Sequence, residues 1–427
     1  MTAEIAVINK SAVALAADSA VTITNSSGST KIYNGAEKLF ALTKYHPVGI
    51  MIFGSGTLCS VPWELVIKQY RKQLGQKSFD TLDGYAENFF SFLEGEETLI
   101  PKDLRFQFLE NYWSGIYLDL WEMVYRKVQE IYTNADEVSD QDTFDILKDI
   151  CNRISLTLDK QEFLTNFTQA DIDELSIQCN EFIGVKSAEQ GLELPVEMKA
   201  ALSKLLAVAT AKENTLGPNS GVVFAGYGDK EYFPTILAFD LKGFWEKKLR
   251  RIPDLQKSCG GGMSAIEAYA QDEEALTFMQ GVSPSLKKLY EQTFFSSFDS
   301  ILNKAIELIE ANTTQNCDEL KANLHQFAAS KWVTATDAMA NAIQRDYIDR
   351  VVHMVEFLPK DELAYMAESL VNMTAFKRKV TNDSETVGGP IDVAVISKGD
   401  GFVWIKRKHY FDGGLNNHYF EKFAKRS

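Results

Sequence analysis

Cysteine is scarce in this sequence and never paired at short spacing. Cys59, Cys151, Cys179, Cys259 and Cys317 are odd in number and widely separated, which gives no zinc framework and suits a reducing cytoplasm. Histidine is as rare. His46, His325, His353, His409 and His418 lack metal-ligand spacing, so no metal and no other cofactor is expected. No apolar run reaches the length of a membrane span, and the N-terminus lacks the basic region and cleavage site of a signal peptide, so the expectation is a soluble cytoplasmic protein with no membrane partner. Concentrated positive charge is missing too. The net charge of −15 is spread without long runs, which argues against a nucleic-acid partner, because phosphate binding needs clustered Lys and Arg. The short basic stretches at residues 247–251 and 406–408 read as solvated edges.

What is present is ample apolar material. With 45% hydrophobic and 11% aromatic residues, the chain can bury a sizeable core and is folded rather than disordered. Its most informative stretch is the beginning. Thr2 stands directly behind Met1, and methionine aminopeptidases remove Met1 when the next side chain is small. Trimming leaves a hydroxyl and a free α-amine on one residue, a nucleophile and its base. An α-amine with a pKa of about 7.7 to 8.0 takes the hydroxyl proton at neutral pH.

The residues after Thr2 fit that chemistry. Ala3–Ile8 is a nearly all-apolar run, Asn9-Lys10-Ser11 carries turn signals, and residues 12–17 are a second apolar run ending on Asp18. The pattern predicts two buried antiparallel strands, which returns Asp18 to the end where Thr2 begins, placed to orient a cation. A lysine is available at Lys31 or Lys38, the latter opening the apolar run Leu39-Phe40-Ala41. Residues 48–53 predict another buried strand, and Gly54 at its end lets a backbone N–H approach a ligand as an oxyanion donor does.

These residues resemble the proteasome-type N-terminal nucleophile hydrolases. Without a gap from Thr2 to Thr22, residues 13–19 are similar to the family's second strand with its catalytic aspartate, Asp18, and Thr22 falls on the threonine that contacts substrate backbone. Lys38-Leu39-Phe40 resembles the catalytic lysine and its strand, and Gly54 falls on the oxyanion-hole glycine. Lys31-Ile32-Tyr33 is a competing match; Lys38 is preferred because the stretch up to Gly54 keeps nearly the family's length. Residues 221–240 are similar to a central hairpin of that fold, and residues 388–396 to a strand after its second cluster of active-site residues. The resemblance covers about half the chain. The chain departs from the pattern in places. Ala20 replaces the arginine after the Asp-Ser pair. The Ser-Gly element is matched only by residues 261–264, with Gly262 at the serine position and Ser264 or Ser258 as substitutes. Asp383 and Thr386 keep the family's spacing of aspartate and serine, but Val387 intervenes before Gly388.

The resemblance implies an α+β fold, a four-layer αββα sandwich with two helical insertions. Residues 1–58, 217–283 and 351–427 are its three parts, and residues 59–216 and 284–350 are the insertions. Pro62-Trp63 opens a helix. Trp113, Tyr117, Trp121 and Tyr125, spaced four apart, read as one helical face. The acidic region from residue 134 to 195 reads as exposed helices, and residues 263–280 as a layer helix. The implied activity is that of a threonine hydrolase cutting peptide or amide bonds. In it Thr2 attacks, Lys38 lowers the hydroxyl's pKa, Asp18 orients Lys38 and Gly54 holds the oxyanion; Lys31, Ser264, Asp383 and Thr386 are the further candidates. The implied partners are a peptide or protein substrate, copies of the same chain in a homo-oligomer, and an ATP-dependent unfoldase. The alternatives are an inactive proteasome-like scaffold and an amidase or ligase acting on one partner. Lys38→Ala is expected to abolish peptide hydrolysis while Lys31→Ala retains it, measured as turnover of a fluorogenic peptide; the reverse pattern moves the lysine to Lys31.

Overall fold

In the computed structural model residues 2–24, 30–131, 139–217, 220–312, 318–381 and 387–424 are described. They fall into two units, Met1–Gly35 with Gly261–Ser397 and Val403–Ser427, and Ala36–Gly260 with Lys398–Phe402. Each holds a five-stranded sheet with helices against it, so the chain is an α+β protein.

The first unit begins with β1 (Ala3–Ile8) and β2 (Val13–Ala17), an antiparallel hairpin that pairs Glu4 with Ala17 and Ile8 with Val13. Asn9 fixes its turn. Its Oδ1 accepts the N–H groups of Ser11 (2.9 Å) and Ala12 (3.3 Å), and its Nδ2 donates to the carbonyls of Val355 and Leu358, each at 3.0 Å. An asparagine closing its own turn is a local device that needs no help from the rest of the fold. Next, β3 (Ala20–Thr24) and β4 (Thr30–Asn34) make a two-stranded ribbon.

The second unit follows with β5 (Leu39–Ala41), β6 (Val48–Phe53) and the short pair β7 (Thr57–Leu58) and β8 (Val61–Pro62). Its helices are α1 (Trp63–Leu74), α2 (Leu82–Gly95), α3 (Lys102–Ile131), α4 (Asp140–Leu158), α5 (Gln169–Glu189) and α6 (Val196–Ala211). Then come β9 (Gly221–Gly226), β10 (Thr235–Trp245) and β11 (Lys248–Cys259). The sheet runs β11-β10-β9-β6-β5, antiparallel throughout. Phe89 and Phe90 of α2 meet Phe224 and Phe239 of the sheet edge to face, with ring centroids 4.8 to 5.7 Å apart, the arrangement that ring quadrupoles favour. Helices α3 to α6 share a second core around Trp113, Leu175, Leu202 and Leu205.

The chain returns to the first unit through β12 (Ala265–Ala270), α7 (Glu273–Gln280), α8 (Pro284–Asn312), α9 (Asp318–Ile343), a π-helical turn (Gln344–Ile348), α10 (Asp349–Val355), α11 (Lys360–Val380), β13 (Asp392–Ser397), β14 (Gly401–Lys406) and α12 (Asn417–Ala424). The sheet order is β12-β1-β2-β13-β14. Ala3, Ala14 and Ala16 share one core with Ala364, Ala367 and Leu370 of α11. Small side chains on both sides let helix and sheet approach to the density a protein interior requires.

Four sequence expectations change. Residues 263–280 are not one helix: Ala265–Ala270 is β12, paired with β1, and helix begins only at Glu273. The alanines and Glu267 suit a helix, but pairing along a buried edge overrides so weak a preference. The basic stretches are only partly solvated: Lys247, Lys406 and Arg407 are exposed, but Arg250, Arg251 and Lys408 are not. Arg250 is fully buried, donating to the carbonyls of Thr210 (2.8 Å), Ala209 (3.2 Å) and Lys242 (2.7 Å), with its guanidinium 4.1 Å from the Tyr112 ring centroid. It thereby satisfies carbonyls at the end of α6 that have no partner within the helix. Arg251 is buried against Phe90 and pairs with Glu87 at 2.8 Å, and Lys408 pairs with the buried Asp392. The aromatic stripe of α3 is broken. Trp113 and Tyr117 are buried, whereas Tyr125 is 62% exposed, because a step of four residues advances about 40° round a helix and drifts off the buried face. The acidic region also contributes core, including Leu147, Cys151, Leu175 and Cys179.

Burial of Lys242, and then the Arg250 charge, lower the ammonium from 10.5 to about 8, while its Nζ donates to the Leu216 carbonyl at 2.7 Å. Between about 8 and 10.5 the unfolded chain therefore holds a proton that the folded chain has released, so this group makes stability rise with pH across that window. The unfolding free energy from urea denaturation, wild type minus Lys242→Met, is expected to climb over the same range, by roughly 3 kcal/mol in all. A flat difference would show that the lysine titrates normally.

Candidate active site

The hairpin brings Thr2 and Asp18 to one end of the first unit's sheet. The Asp18 carboxylate is fully buried. Its Oδ1 accepts the Ala3 N–H at 3.1 Å, and its Oδ2 accepts the N–H groups of Ala20 (3.2 Å) and Gly388 (3.0 Å). It thus joins the start of β1, the start of β3 and the segment leading to β13. Gly389, at φ 79°, follows Gly388; an added Cβ there would lie 2.8 Å from that of Asn34, so this backbone needs glycine at 389. Thr2 lies just before β1, and its carbonyl accepts the Gln271 N–H at 3.0 Å. Its hydroxyl is buried and donates to Glu4 Oε2 at 3.0 Å.

Glu4 and Gln271 were not among the residues expected from sequence. Glu4 leaves one trace there, as the charged residue inside the apolar run Ala3–Ile8. Gln271 has none, because its place depends on β12 being a strand. That strand also relocates the Ser-Gly element. Since β12 runs antiparallel to β1, pairing Ala265 with Ile8 and Ala270 with Ala3, Gly262 and Ser264 fall at the turn end of β1, roughly 20 Å along the ladder from Thr2. The chain beside Thr2 is instead Gln271-Asp272, leading into α7, with the Gln271 side chain accepting from Arg378.

Lys38 and Gly54 belong to the second unit. Lys38 directly precedes β5, is buried, and its carbonyl accepts the Ile52 N–H at 2.8 Å; Gly54 follows β6 at φ 78°. Both therefore stand at the same end of the β5-β6 pair. Lys31, in β4 opposite Ile23, is exposed, and Thr22 pairs with Ile32 in β3. Ser258 donates to the Asp254 carbonyl and accepts the Ala238 N–H. Asp383 and Thr386 lie outside the described residues. Among the described residues no cluster of three or more His, Cys, Asp or Glu is arranged to hold a metal ion, and no helix is long and apolar enough to cross a membrane.

The elements that surround Thr2 thus define an α+β protein whose first strand begins at a buried hydroxyl–carboxylate pair. No protein-family model matches the chain, and no curated protein matches it. Among solved structures it is similar to a mutant of Anbu from Hyphomicrobium sp. strain MC1, with 9% identity, a TM-score of 0.29, and a match covering 100% of this chain and 96% of that chain. At that identity and TM-score the roles of the residues rest on this chain's own geometry.

Asp18→Ala would leave three backbone N–H groups without this acceptor, two of them in buried bonds. The expected loss is about 3 to 5 kcal/mol of unfolding free energy, read from urea denaturation. An unchanged midpoint would mean that the three segments are held by other contacts.

Proposed function

We propose that the chain is a proteasome-like threonine hydrolase cleaving peptide or amide bonds. In this reading its two sheet-and-helix units are the halves of a four-layer αββα sandwich, with residues 59–216 and 284–350 as helical insertions. One observation carries the reading: the Thr2 hydroxyl is held at the mouth of β1 by a buried carboxylate, next to a backbone that Asp18 anchors at three points. That is the preorganisation a nucleophile needs, because a fixed hydroxyl meets a carbonyl without first losing rotational freedom.

Removal of the residue before Thr2 exposes its α-amine as a proton relay. Lys38 supplies positive charge that favours the alkoxide, and the Gly54 N–H stabilises the oxyanion. One oxyanion donor is worth about 3 to 4 kcal/mol in the transition state. Asp18 acts as a positioning residue, since its oxygens hold main-chain N–H groups. Thr22 binds substrate backbone. The substrate is a peptide or protein, reached in the cytoplasm by a homo-oligomer that an ATP-driven unfoldase feeds.

A second reading, an inactive scaffold of the same fold, is favoured by the burial of Thr2, which is 4% exposed, since a substrate reaches Oγ1 only if the rim of the site opens. Intact mass and N-terminal sequencing before and after a β-lactone probe separate the two. The hydrolase loses Met1 and gains one adduct on Thr2, absent in Thr2→Ala. Retained Met1 without an adduct leaves the scaffold.

A further inference from the structure

Glu4 is the one charged residue in a strand whose six side chains are all buried. Residues two apart on a strand share a face, which is why its carboxylate reaches back to Thr2 and its Oε2 accepts from Oγ1 at 3.0 Å. Its cross-strand neighbours are Ala17 on β2 and Tyr269 on β12. Burying a carboxylate in a sheet costs several kcal/mol unless it is well partnered, and a Val or Ile would complete this strand without that cost. The other acid at this end, Asp18, accepts three backbone N–H groups, and a backbone N–H does not give up its proton at neutral pH.

We propose that Glu4 is the proton acceptor for the Thr2 hydroxyl, a catalytic base supplied by the first strand itself. The inference rests on Thr2 being the nucleophile. As Oγ1 bonds to the substrate carbonyl carbon, the O–H bond breaks and its proton passes to Oε2. As the carbon–nitrogen bond breaks, that proton goes to the leaving amine and the carboxylate is restored. Water then attacks the ester, gives its proton to Oε2, and Oγ1 recovers a proton as it departs. The α-amine is in this scheme a second relay, so that hydroxyl activation begins below the range in which α-amines lose their proton.

The test is the second-order rate of Thr2 acylation by a β-lactone, followed by intact mass from pH 5 to 9, in the full-length wild type and Glu4→Gln. The expected result is a wild-type rate already near its plateau below about 7.7, where the α-amine is still protonated, and a loss of 100-fold or more in Glu4→Gln, whose residual rate rises only through the α-amine range. A merely structural role would lower the rate without moving that profile. Equal rates in the two proteins overturn the role of Glu4 and leave Thr2 as nucleophile. No adduct in wild type overturns both. Should circular dichroism show Glu4→Gln unfolded, the wild-type profile decides alone: a rise confined to the α-amine range overturns the inference.

Discussion

The first unit depends on one buried carboxylate. Asp18 joins three segments that are far apart in sequence, at Ala3, Ala20 and Gly388, and each joint is a charge-assisted bond from a main-chain N–H. Such bonds are roughly twice as strong as neutral ones, and three of them offset much of the cost of removing the charge from water. The result is rigid where chemistry asks for rigidity. Thr2 is one residue from the first joint, so the position of its hydroxyl follows from the position of Asp18. The Ser19 hydroxyl, donating to the Pro390 carbonyl, adds a further tie between the same segments.

Packing enforces the same geometry from the other side. The alanines of β1 and β2 and those of α11 are small enough for close approach, and Asn9 ties the hairpin turn to the chain around Val355 and Leu358. One strand pair is therefore fixed at both ends, by Asn9 at the turn and by Asp18 at the open end. A hairpin held in this way keeps its register, and register decides which side chains face the core. In the second unit Arg250 does comparable work, with a cation whose fork of donors meets the carbonyls at the end of α6.

How much of this was legible in the sequence follows from how local each cause is. The hairpin of β1 and β2 was legible because two apolar runs flank an Asx turn, and the returning Asp18 followed from its length. The β9–β10 pairing was expected only through the resemblance of residues 221–240 to a hairpin of the proteasome-type family. The burial of Arg250 was not, because nothing near residues 247–251 says that the end of a helix some forty residues earlier needs donors. The strand β12 was missed because its alanines favour a helix and only pairing with β1 decides otherwise. That one miss left the Ser-Gly element expected beside Thr2 when it lies at the other end of β1, and with it hid Gln271. Candidate-site residues close to Thr2 in sequence were legible, and those brought in by pairing were not.

The two acids at this end of the sheet show why residue type alone cannot assign a role. Asp18 and Glu4 are both fully buried, and a reading by motif assigns chemistry to the first and a place in a strand to the second. Their hydrogen-bond partners reverse the emphasis. The Asp18 carboxylate accepts three main-chain N–H groups, and such donors hold position rather than give up a proton. A carboxylate accepting from a hydroxyl faces a group whose proton must leave for the oxygen to attack. The donor's chemistry, rather than the acid's, therefore separates an anchor from a base.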